Sequence, residues 1–137
     1  MIRIRPAFPE ELDEILSADR HVTREHMEKL ISDGFIAAAF YEEQFAGLLR
    51  YGLFWDEIPF MNMLSVKEEY RGKGVGTALV REWERLMAEK GYSAVMTSTQ
   101  ANETSQHFYR KLGYRDMGGF TPFGEEYEII MGKQLER

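Results

Sequence analysis

Apolar and polar residues along the chain first alternate, then recur at helical spacing, then alternate again. In "IRIR", Ile2 and Ile4 alternate with Arg3 and Arg5, the period-two pattern of a short, half-buried strand. Pro9 suits the first turn of a helix that carries Leu12, Ile15 and Leu16 on one face. Thr23 is placed to cap a second helix, with Met27, Leu30 and Ile31 inward and Gly34 at its end. "FIAAAFY" and "FAGLLRYGLFW" flank "EEQ" and predict a hairpin, and "PFMNMLSV" predicts a further strand. The strongest helical period covers residues 74–90. There Val75, Leu79, Trp83, Leu86 and Met87 share a face, and Gly91 stands where a left-handed cap belongs. "SAVMTST" predicts a strand. Residues 103–112 predict a helix that buries Phe108 and Leu112 and ends at Gly113, and strands over 114–120 and 126–135 close the chain. The expected order is β-α-α-β-β-β-α-β-α-β-β. It describes an α/β chain of the α+β type: a mixed central sheet of about six or seven strands flanked by about four helices. With no repeat, low-complexity tract or linker, residues 1–137 are expected to form a single domain.

Composition narrows the classes of function. Hydrophobic residues make up 44% and charged residues 29%, as in ordinary globular proteins. No apolar run reaches the roughly 18 residues of a membrane span, and "MIRIRPAFPEEL" lacks the apolar core of a signal peptide. The expectation is a protein away from membranes. The chain has no cysteine, which excludes disulfides, thiolate metal sites and a cysteine nucleophile and fits a cytoplasmic location. A formal charge of -6 argues against a broad nucleic-acid surface and favours a cationic or amine partner. No His/Asp/Glu set has metal-ligand spacing, so no metal is expected.

The stretch "LSVKEEYRGKGVGTALVREWERL" places Gly72, Gly74 and Gly76 at the mouth of the strongest helix. A helix N-terminus presents unpaired N–H groups and a partial positive charge. Glycines there let an anion approach the backbone, because no Cβ intervenes. The spacing is not that of a Walker loop, since Lys73 lies between glycines and no Ser or Thr follows it. Nor is it the G-x-G-x-x-G of a dinucleotide fold, since the pattern is G-x-G-x-G deep in the chain. Glycines alone leave a plain flexible turn as an equal reading.

The surrounding residues add to this. "RGKGVG", Arg71 to Gly76, resembles the R/Q-x-x-G-x-G/A signature of the GNAT superfamily of N-acetyltransferases. A second segment, "NETSQHFYRKLGY", begins at Asn102, 26 residues after Gly76, and is similar to the family's N-x-x-(A/S)-x-x-(F/L)-Y-x-x-x-G-(F/Y). Asn102, Ser105, Phe108, Tyr109, Gly113 and Tyr114 fall on matching positions.

The resemblance implies the GNAT fold and acetyl-CoA as co-substrate. Its pyrophosphate would lie on the turn of Arg71, Gly72, Lys73, Gly74, Val75, Gly76 and Thr77. The backbone of Leu64, Ser65 and Val66 would run beside the pantetheine arm, one N–H polarising the thioester carbonyl. Ser65 itself reads as a strand residue rather than a nucleophile. Asn102, which could equally be a plain N-cap, would touch the pantetheine. Tyr109, by periodicity a core-edge tyrosine, would protonate the departing thiolate.

Transfer needs a neutral amine, whereas lysine-type amines titrate near about 10.4 and α-amines near about 7.7–8.0. A base must therefore take a proton. Asp56 and Glu57 in "FWDEIPF" are the candidates, with turn residues ahead of Pro59 as the other reading. The resemblance sets His21 and His26 in the helical segment that often roofs the acceptor site, though each reads more simply as an ordinary surface or packing histidine. The expected reaction is direct attack in a ternary complex, on a small-molecule or peptide amine of partly apolar, cationic character. A GNAT-fold module that binds an acyl-CoA without efficient transfer is the second reading. The family resemblance also admits a homodimer.

Overall fold

The computed structural model describes residues 1–136. Its elements follow the expected order: β1 (Ile2–Pro6), α1 (Leu12–Ala18), α2 (Arg24–Ser32), β2 (Ile36–Tyr41), β3 (Gln44–Phe54), β4 (Ile58–Val66), α3 (Val75–Glu89), β5 (Ala94–Gln100), α4 (Ser105–Lys111), β6 (Arg115–Phe120) and β7 (Glu128–Gln134). Short 3-10 turns at Pro9–Glu11 and Glu68–Tyr70 precede α1 and α3.

The seven strands form one sheet in the order β1-β2-β3-β4-β5-β7-β6. Every neighbouring pair is antiparallel except β4 and β5. The sheet is thus two antiparallel halves, joined where two strands run the same way.

β2 explains the layering. All but its last residue are buried, because the strand is covered on both faces. Ala37 and Ala39 pack toward α3, with Leu79, Trp83 and Met87. Ile36, Ala38 and Phe40 pack toward α1 and α2, with Ile15, Met27 and Ile31. Tyr109 and Leu112 place α4 on the α3 side.

The local signals act as the sequence suggests. Thr23 Oγ1 accepts from the His26 N–H at 3.2 Å and caps α2. The hairpins on either side of β3 close with a two-residue turn at Glu42–Glu43 and a three-residue turn over 55–57, in which Trp55 and Asp56 lie in the left-handed region as Glu42 and Glu43 do. Positive φ at both central residues matches the right-handed strand twist.

Candidate functional site

The β4–β5 junction is short. β4 pairs with β5 only at Phe60–Met96 and Met61–Thr97, although the strands span nine and seven residues. Thr97 Oγ1 donates to Met61 O at 3.0 Å, at the last point of contact. The cause lies on the other side of β4. Arg50 of β3 faces Met63 while Tyr51 faces Met61, so Asn62 is an extra residue. A bulge of this kind bends its strand. Past it β4 stays with β3, β5 continues with β7, and a gap opens between them.

The main chain of β4 faces that gap. The Lys67 N–H bonds to Ala46 O at 2.8 Å, on the β3 side. Antiparallel alternation then turns the main-chain groups of Leu64 and Val66 toward the gap. Arg71 Nε reaches Val66 O at 3.2 Å from there. Gly47 of β3 permits this close course, since a Cβ there would collide with the Ser65 carbonyl oxygen. The Ser65 hydroxyl donates to Ala18 O at 3.0 Å, which fastens the α1–α2 connection onto β4.

The first turn of α3 closes the other end. Gly72 and Gly74 have φ of 77° and 87°, a region that favours glycine, and Gly74 is the residue that caps α3. The Ala78 N–H is the first to bond back, to Gly74 O at 3.0 Å, so the N–H groups of Val75, Gly76 and Thr77 precede the helical ladder. No acidic residue occupies the first turn to offset its positive end. A Cβ on Gly76 would meet only ordinary contacts, the nearest being Phe108 Cζ at 3.6 Å. Around these groups lies a groove of about 680 Å³.

A second cavity, of about 760 Å³, opens on the far side of β4. Glu103, Glu125 and Glu128 line it, with Arg50, Thr97 and Tyr109. The groove and the cavity share His21, Met63, Leu64 and Ser105. Tyr109 is 7% exposed. Burial pushes its hydroxyl up to about 12, opposed in part by a hydrogen bond with the Thr97 side chain. It stays protonated at neutral pH and can act as a donor.

Among the residues singled out by sequence, the structure gathers Leu64, Ser65, Val66, Arg71, Gly72, Gly74, Val75, Gly76 and Thr77 around the groove. Tyr109 lies in the adjoining cavity. Lys73 points elsewhere, its Nζ 5.5 Å from the centre of the Tyr41 ring. Asn102 is exposed in the turn before α4 and lines neither space. The helix starts later than expected, with Thr104 in the capping position, so Asn102 is not its N-cap. Asp56 and Glu57 are exposed at the tip of the β3–β4 hairpin. They precede Leu64 by eight and seven residues, roughly 23–26 Å along a strand rising roughly 3.3 Å per residue, and line neither space. Asp56 serves the turn, at φ 59°.

Sequence reasoning set His21, which lies between the two spaces, aside as an ordinary histidine, and it missed the carboxylates of the second cavity and the pair behind His21. Asp19 is buried, and its Oδ2 accepts from Arg50 Nε at 2.6 Å. Arg50, a lone charge within "FAGLLRYGLFW", was the available signal.

Among the described residues no cluster of three or more His, Asp or Glu side chains could hold a metal ion. Nor, among the described residues, is any helix long and apolar enough to cross a membrane.

Comparison with known proteins agrees with this geometry. An uncharacterized N-acetyltransferase of Chlorobaculum tepidum is 29% identical over 87 residues, 64% of this chain and 52% of that protein. The chain thus spans about half the length of that curated relative. The structure of Ard1 from Thermoplasma volcanium superposes with a TM-score of 0.88 at 15% identity, covering 99% of each chain. The PaiA N-acetyltransferase from Thermoplasma acidophilum, solved in complex with coenzyme A, superposes with a TM-score of 0.74 at 21% identity, covering 98% of this chain and 99% of that one. At these identities the likeness shows the fold. The model of the acetyltransferase (GNAT) family matches residues 3–114. A glycine turn at the mouth of α3, a β4 that parts from β5, and a family match over most of its length place this chain in the GNAT acetyltransferase family.

Proposed function

We propose that the protein transfers the acetyl group of acetyl-CoA to a primary amine by direct attack within a ternary complex. The observation that carries this reading is the meeting of two unlike spaces at Leu64. One is a groove ending on the N–H groups of the first turn of α3; the other is a cavity lined by Glu103, Glu125 and Glu128. The first fits an anionic pyrophosphate and the second a cationic amine. Coenzyme A bound to the PaiA relative supports the first assignment.

In this reading the N–H groups of Val75, Gly76 and Thr77 hold the pyrophosphate, with Gly72 and Gly74 shaping the turn and Arg71 adding charge. Leu64 and Val66 offer main-chain groups to the pantetheine amides. The Leu64 N–H is the candidate to stabilise the oxyanion that forms as the amine adds to the thioester carbonyl. The Tyr109 hydroxyl, held protonated by burial, donates to the sulfur as the C–S bond breaks. The acceptor is a cationic small molecule or a peptide amine.

The test is release of free CoA from acetyl-CoA with a panel of polyamines, lysine side chains and peptide N-termini. Amine-dependent release supports the proposal. Tight acetyl-CoA binding without release on any amine would replace it with an acyl-CoA-binding module.

A further inference from the structure

The proton that the amine must lose needs an acceptor at the meeting point of groove and cavity. The geometry points to His21. We propose that His21 Nε2 is the general base and that Asp19, held by Arg50, positions its ring. This inference rests on the transfer reading above.

His21 lies in the connection between α1 and α2, which the Ser65–Ala18 hydrogen bond fastens onto β4 beside Leu64. His21 lines both the groove and the cavity, and its side chain is 74% exposed. Nδ1 faces Asp19 Oδ1 at 3.4 Å, and the His21 main-chain N–H donates to the same oxygen at 3.3 Å. Asp19 caps the end of α1, its N–H bonded to Ile15 O at 2.9 Å, and its side chain is fully buried. A buried carboxylate with one oxygen on Arg50 and the other toward Nδ1 favours the tautomer with hydrogen on Nδ1. The lone pair then sits on Nε2. A long orienting contact of this kind shortens when ligands fill a site. The same logic of base and orienting acid serves nucleophile activation elsewhere.

The proton count closes. An ammonium nitrogen carries three hydrogens and the product amide one, so two leave. One passes through His21 Nε2 to solvent. Nε2, free again, takes the other from nitrogen once the C–N bond has formed and passes it on to solvent; Tyr109, having given its proton to the thiolate as C–S breaks, recovers one from solvent, so one proton is released in all.

Other charged groups around His21 are Asp19 on its own connection, Arg50 on β3, and Arg71 across the groove. Glu103, Glu125 and Glu128 stand across the cavity. All three glutamates share the cavity with Leu64, but His21 lines the groove as well.

The experiment uses the full chain with saturating acetyl-CoA and an amine that the parent acetylates. His21→Gln should lower kcat by about 10²–10⁴, leave the acetyl-CoA Kd unchanged, and remove the acidic limb of the kcat/KM pH profile. Added imidazole should restore part of the rate of His21→Ala. Asp19→Asn should lower kcat in the parent but not further in His21→Ala, because it acts through the ring. A merely structural Asp19 would lower both backgrounds alike, and that result removes it from the inference. If His21→Gln keeps the parent kcat and the acidic limb, His21 is not the base, while the transfer reading stands. If the parent itself acetylates no amine, both readings fall. Thermal melts of each variant identify any loss that reflects unfolding.

Discussion

The Tyr114 hydroxyl donates to Glu84 Oε2 at 2.8 Å, binding the third residue past α4 to the middle of α3. The other oxygen of Glu84 takes Lys133 Nζ from β7 at 2.9 Å, and that ammonium also reaches Leu112 O at 2.7 Å. Glu84 is 8% exposed. One carboxylate thus links three elements beneath Tyr109, whose ring meets Tyr114 edge-on with centroids 5.8 Å apart. Glu84→Ala should cost about 1–3 kcal/mol, the price of a stranded buried donor. Urea unfolding measures this, and an unchanged midpoint would show that the network adds nothing.

Gly74 holds a left-handed conformation at the mouth of α3. Gly74→Glu adds a strained φ and a negative charge where a pyrophosphate is proposed to lie. Calorimetry should show acetyl-CoA affinity reduced at least about tenfold, on the order of 1.4 kcal/mol. Parental affinity in this variant would move the phosphate site away from the turn.

Tyr109→Phe keeps the ring and deletes the proposed proton donor. Turnover should fall by about 10²–10⁴ with acetyl-CoA binding intact. If the tyrosine only packs, the variant instead loses about 1 kcal/mol of stability and keeps its rate per folded molecule. Steady-state rates beside a thermal melt distinguish the two.

The same residue predicts an alkaline response. Its folded-state pKa, about 12, lies above the value of about 10 for an unfolded tyrosine. Folded protein therefore keeps the proton where the unfolded chain releases it. The resulting stability is whole below about pH 10 and is lost as pH rises toward 12. Tyr51 and Tyr114 are also pushed up by burial and act in the same sense. Melting temperature should drop between about pH 10 and 12, and less steeply in Tyr109→Phe. Equal slopes would mean that Tyr109 titrates as an exposed phenol.

The position of Asp56 and Glu57 at a hairpin tip gives a control for His21. Asp56→Asn with Glu57→Gln should leave the pH–rate profile as in the parent. Loss of the acidic limb in this double variant would return the base to the hairpin.

Most of the fold was legible because its signals are local. The face of α3, the Thr23 cap and the glycine turn each follow from residues within a few positions of one another. What was not legible depends on distant partners. The Asn62 bulge exists only relative to the register of β3, and Asp19 meets Arg50 across 31 residues. Glu84 sits beside Trp83 on the inward side of α3, where helical spacing allowed an apolar residue. Its partners come from β7 and from the end of α4, which no helical period reveals. Asp56 and Glu57 looked well placed in sequence because they precede β4, but a strand carries its start far from its end.

A strand with a free side normally lies at the rim of a sheet, where another chain can add to it. β4 has its free side in the interior, between two strands that are both occupied elsewhere. The first turn of α3 and Phe108 of α4 stand over it. The fold therefore keeps the adhesive backbone of a sheet edge, but sets it in the interior of the sheet beneath α3 and α4, away from the rim where strands of other chains add.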